Sequence, residues 1–97
     1  MKAQLKNIMT LALVAIALSL NAQTFNLSGV VTDKVSGETL IGATISNGVD
    51  GTTSDIDGSY IIKLKEGFHS LTFSYVGYQT ENINVNITSD QTLNMSL

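Results

Sequence analysis

The stretch Asn82-Ile83-Asn84-Val85-Asn86-Ile87 alternates an amide with a branched aliphatic side chain, without a slip. The regular backbone that sorts such residues onto two separate faces is the β-strand, whose side chains point to opposite sides at each step; a helix would spread them around its circumference. The same period recurs along the chain. Phe25, Leu27 and Val31 share a face opposite Asn26, Ser28 and Val30. Leu40, Ala43 and Ile45 lie in a second run, which Gly42 interrupts. Tyr60, Ile62 and Leu64 alternate with Ile61, Lys63 and Lys65, which puts the lysines on a wet face. Leu71, Phe73 and Tyr75 alternate with Thr72, Ser74 and Val76, and Leu93, Met95 and Leu97 with Asn94 and Ser96. Turn-forming residues fill the gaps at 33–37, 48–51, 55–58, 66–67 and 89–90. Short strands at this spacing, with no helical pattern beyond the first segment, predict an all-β fold, a small antiparallel sandwich. The predicted core is Leu27, Val31, Leu40, Ala43, Ile45, Tyr60, Ile62, Leu64, Leu71, Phe73, Ile83, Val85, Leu93 and Met95.

Residues 1–22 follow a different rule. Lys2 and Lys6 precede an uncharged, mostly apolar run from Ile8 to Leu20 that ends in small residues around Ala22. That run is shorter than the roughly 20 residues a membrane-spanning helix needs, but it suits the apolar centre of an export signal. The expected cut follows Ala22, dividing the chain into a signal peptide, residues 1–22, and one domain, residues 23–97. The mature part is expected to carry no membrane span. With no cysteine in the chain, neither a lipid anchor nor a disulfide is expected, and thiolate metal sites and thiol redox chemistry are excluded.

Beyond the signal only Lys34, Lys63 and Lys65 oppose eight carboxylates, a formal charge of −5, and there is no arginine. A nucleic-acid partner requires a clustered basic surface that releases counterions, so this chain would repel a polyanion. The acidity is read as solubility in an extracytoplasmic space.

Four blocks carry a resemblance: Leu27-Ser28-Gly29-Val30-Val31-Thr32-Asp33, Gly37-Glu38-Thr39-Leu40-Ile41-Gly42-Ala43-Thr44-Ile45, Gly51-Thr52-Thr53-Ser54-Asp55-Ile56-Asp57-Gly58-Ser59-Tyr60 and Leu71-Thr72-Phe73-Ser74-Tyr75-Val76-Gly77-Tyr78. In this order and spacing they resemble the carboxypeptidase regulatory-like domain, over essentially all of Phe25 to Leu97. The resemblance implies a seven-stranded, transthyretin-like (prealbumin-like) sandwich. Its flavour is similar to the N-terminal extension of SusC/RagA-type TonB-dependent outer-membrane receptors, where a TonB box, a plug and a large β-barrel follow. Here the sequence stops at Leu97, so a truncated or separately encoded N-terminal piece is expected.

The residues themselves suggest structural roles first. Gly29 and Gly42, inside strand runs, suggest a bulge or a close backbone approach, and Gly37, Gly58 and Gly77 suit positive φ. Asp55 and Asp57 fit a turn capped by carboxylates and closed by Gly58. A calcium loop is not expected there, because the EF-hand template would place its first ligand at Thr53 and its twelfth at Leu64, where a glutamate is required. A lone His69, read as an exposed hairpin residue, has no defined nucleophile or orienting carboxylate. The hydroxyisourate hydrolases of transthyretin-like fold rely on several histidines and an arginine, which this chain lacks. No catalytic, cofactor-binding or metal-binding residue is therefore assigned, and the protein is read as no enzyme. Tyr60, Phe68, Tyr75 and Tyr78 offer stacking surfaces for a glycan, although packing explains Tyr60 and Tyr75 equally. The sequons at Asn26, Asn86 and Asn94 are read as chance in an asparagine-rich strand face. The expected role is a non-enzymatic accessory domain of an outer-membrane nutrient receptor, exported to the periplasm or outer membrane, with receptor components as protein partners. The alternative is a free-standing secreted or periplasmic protein- or carbohydrate-binding module.

Overall fold

The computed structural model describes residues 23–97; the predicted signal peptide and its cut after Ala22 lie outside them. The strands are β1 (Thr24–Thr32), β2 (Thr44–Ser46), β3 (Gly51–Thr53), β4 (Ser59–Lys65), β5 (Gly67–Ser74), β6 (Glu81–Ile87), β7 (Gln91–Thr92) and β8 (Met95–Ser96). They form two sheets. One has the order β4-β1-β7, with β8 also pairing β1, and the other the order β3-β2-β5-β6. The all-β sandwich expected from the alternation is the observed architecture.

The register follows from the side-chain parity. β1 runs antiparallel to β4 from Thr24↔Lys65 to Val30↔Ser59, which sets Leu27 opposite Ile62 on the inner face. β5 runs antiparallel to β6 from Gly67↔Ile87 to Phe73↔Glu81, so Leu71 faces Ile83. Between the sheets Leu27, Val31, Leu40, Ala43, Ile45, Tyr60, Ile62, Leu64, Leu71, Phe73, Ile87 and Leu97 are buried. Tyr60 and Phe73 meet edge to face across the core, with centroids 5.6 Å apart.

The last strand run departs from the antiparallel rule. β7 and β8 both pair with β1 in parallel, through Leu27↔Gln91 and Val31↔Met95, at the same sequence offset. They are thus one strand line interrupted at Leu93 and Asn94, and counting them together gives seven strands. The interruption has a cause. The phenol of Tyr60 donates to the Leu93 carbonyl at 2.5 Å, and that carbonyl lies over Gly29, where a Cβ would collide with it. Asn94 Oδ1 instead accepts from the Val30 amide at 3.0 Å, and Asp90 Oδ1 accepts from the Asn26 amide at 2.9 Å. Gly29 is thus a close-approach glycine, as the strand context suggested.

Three other expectations change. Gly42 is no strand bulge: it sits at φ +83° in the turn before β2, and only Thr44–Ser46 of that run is strand. The turn predicted at 48–51 ends in a strand, since Gly51–Thr53 pairs with β2. In the core, Ile83, Val85, Leu93 and Met95 are only partly buried, while Ile87 and Leu97, which were not predicted, are buried. The physical reason is position. β6 is the rim of its sheet, and β7 with β8 forms the rim of the other, so Ile83, Val85, Leu93 and Met95 lack a neighbour on one side, whereas Ile87, at the end of β6 opposite Gly67, is covered.

Candidate functional site

The most densely connected surface feature is the corner where the loop after β5 meets the loop after β1. Gly77 has φ +88°, which lets the chain reverse so that the Tyr78 amide donates to the Tyr75 carbonyl at 3.0 Å. The two tyrosine rings then pack edge to face, 5.3 Å between centroids. Tyr78 donates its phenol to Asp33 Oδ2 at 2.6 Å. The other carboxylate oxygen accepts from the amides of Val35 at 2.7 Å and Ser36 at 2.9 Å. The Tyr78 hydrogen bond foremost, then the two backbone amides, hold the Asp33 carboxyl down to about 2 from its ordinary 3.8. The same bond raises the Tyr78 phenol above its usual range. Lys34 and Glu81 approach to 4.0 Å beside this corner, a surface pair that contributes little. Its groups are committed to one another, which makes it a clasp between loops.

The turn at 55–58 is built as the sequence suggests, with the work done by Asp55. Its Oδ1 accepts from the amides of Asp57 at 2.9 Å and Ser59 at 3.0 Å, and its carbonyl accepts from Gly58 at 2.9 Å. Gly58 has φ +77° and is crowded by Thr39 and the Val31 carbonyl, so no larger residue fits. Among the described residues no group of three or more His, Asp or Glu is placed to hold a metal ion.

His69 is not the exposed hairpin residue expected. It is half-buried on β5, with Nε2 at 2.7 Å from the Lys65 carbonyl and Nδ1 at 3.2 Å from Asn47 Nδ2. A neutral ring protonated at Nε2 satisfies both contacts. The pattern in the sequence missed Ser54, a buried polar side chain. Its hydroxyl donates to the Leu40 carbonyl at 2.6 Å and accepts from the Ala43 amide at 2.8 Å, pinning the turn before β2. Both side chains are thereby engaged by backbone or amide partners.

The four candidate stacking aromatics do not share one surface, and only Tyr75 and Tyr78 meet. Tyr60 is buried, and burial pushes its phenol up to about 12. Tyr75 and Tyr78 cover each other, and Phe68 alone presents its ring, 83% exposed. Phe68 stands on the outer face of β5 opposite Asn86, and Ser70 opposite Asn84. That face is neutral and polar apart from Phe68. Asn26, Asn86 and Asn94 are exposed, but Asn94 already caps Val30.

Comparison with known proteins adds a context. The CarboxypepD_reg-like domain matches residues 27–97. TonB-dependent receptor P3 of Formosa agariphila is 38% identical over 84 residues, which is 84% of this chain and 8% of the receptor. The chain thus spans less than a tenth of that relative's length. Among solved structures, a type II cohesin–X–dockerin complex of Acetivibrio cellulolyticus superposes with a TM-score of 0.64 at 22% identity, covering 73% of this chain and 52% of the other. A DUF3823 family protein of Parabacteroides merdae gives 0.53 at 21% identity, covering 75% and 45%. At these identities the two structures speak for the fold alone.

Proposed function

The chain belongs to the CarboxypepD_reg-like domain family, and from that membership we propose that it serves as a non-enzymatic accessory module of a TonB-dependent outer-membrane receptor. The observation that carries the proposal is the 38% identity to such a receptor across 84% of the chain. The commitment of His69 and Ser54 to structural hydrogen bonds supports a role without catalysis. In this reading residues 1–22 direct export and are removed after Ala22, and the domain works at the periplasmic side of the outer membrane. Its partners are components of the receptor, which it docks or spaces. No helix among the described residues is long and apolar enough to cross a membrane.

The test is deletion, in the corresponding full-length receptor, of the segment equivalent to residues 25–97. The barrel should still insert while nutrient uptake falls or changes its substrate preference. Uptake that is untouched by the deletion would discard the accessory role and favour the free-standing binding module.

A further inference from the structure

A sheet rim with free backbone N–H and C=O groups is a template for another strand, and proteins usually blunt it with short strands, lysines or cover. Three of the four rims here are managed in that way. β3 has three residues, and β7 and β8 have two each. β4 carries Lys63 and Lys65 on its outer face and has β3 alongside. The fourth rim, β6, has seven residues with no lysine and no proline. Among the described residues its backbone makes no hydrogen bond other than those to β5. Below it the sandwich gapes: Ile83 and Val85 of β6, and Leu93 and Met95 of the β7–β8 line, are inward-facing residues left partly exposed, as is Phe25 on β1. A groove of mixed lining, Leu27, Val85 and Leu93 with Asn86, Gln91 and Thr92, runs between the two rims.

We propose that this rim is completed by β6 of a second copy, running antiparallel about a two-fold axis through Asn84. The register that uses all seven residues places Asn84 opposite itself, Asn82 opposite Asn86, Ile83 opposite Val85 and Glu81 opposite Ile87. Amides then meet amides on the outer face, where each both donates and accepts. On the inner face Ile83 meets Val85, while Glu81 stands opposite Ile87 at each end of the ladder, and no like charges oppose each other. Sliding the register shortens the ladder. A two-fold axis normal to the sheet keeps inner faces on the same side, so the two open grooves lie side by side beneath the joined rims, with Ile83 and Val85 of both copies in one row. Each copy carries a formal charge of −5 beyond the signal, and salt screens that repulsion beyond about 8 Å at physiological strength. Association therefore tightens with salt, whereas a basic partner strand on this acidic domain would loosen. The inference stands independently of the receptor role.

Sedimentation equilibrium of the exported protein, from about 1 μM to about 1 mM, should show the mass doubling. Asn84 is exposed on the outer face, so Asn84→Lys and Asn84→Asp should each leave the thermal unfolding of the monomer unchanged while weakening association roughly tenfold, because like charges meet at the axis. Mixing the two variants should restore it, since opposite charges then meet there. A monomer at every concentration, association that both variants leave unchanged, or a mixture no tighter than either variant alone would overturn the proposal.

Discussion

At the scale of single residues, the Asp33–Tyr78 clasp ties the loop after β1 to the loop after β5 through one charged acceptor. Because the folded pKa of Asp33, about 2, lies below its ordinary 3.8, the folded state binds fewer protons than the unfolded one in that window. Its stabilising contribution is therefore complete above pH 3.8 and is lost as pH falls through about 2. Thermal unfolding followed against pH should show an acid-side drop there. Tyr78→Phe should return the Asp33 titration toward 3.8 by carboxyl NMR and reduce the drop; an unmoved titration would show that the phenol has no part in it. Nothing local in the sequence announces this pair, since its members lie 45 positions apart. Ser54 was equally silent, a hydroxyl among many until the Leu40 carbonyl and Ala43 amide converge on it. Gly77 and Gly58, by contrast, were legible, because both stand at turns where a positive φ leaves few other residues.

At the scale of elements, the closest approach is that of the β7–β8 line to β1 over Gly29. A methyl group there would meet the Leu93 carbonyl, so Gly29→Ala must push the last strand off the sheet or lose the Tyr60–Leu93 hydrogen bond. Overpacking of this kind typically costs about 1–3 kcal/mol, and a lowered denaturant midpoint should register it; an unchanged midpoint would mean that the strand line yields freely. The long strands were readable because parity repeats over seven or more residues, as in β4, β5 and β6. β3 escaped because three residues carry no period, and Gly51 at its start resembles the turn that precedes it. Alternation also reports which face a residue occupies and nothing about its lateral neighbours. That is why alternation puts Ile83, Val85, Leu93 and Met95 on the correct face yet overstates their cover, and understates that of Leu97.

At the scale of the whole molecule, the first and last strands lie side by side and run the same way, with β1 paired to β7 and β8 in parallel. Tension applied between Gln23 and Leu97 would pull these neighbours in opposite directions along their length, so the hydrogen bonds from Leu27↔Gln91 to Thr32↔Ser96 would bear load together in shear. Peeling them one at a time, as from a hairpin, is not open to this geometry. Forced unfolding follows the unfolding rate, so stretching a single molecule by these two ends should give a higher rupture force than pulling across the β5–β6 hairpin at Phe68 and Asn86. Equal forces would refute the load-sharing reading. A module stitched in this way is expected to carry a tug between Gln23 and Leu97 through bonds loaded together, up to the force at which they part.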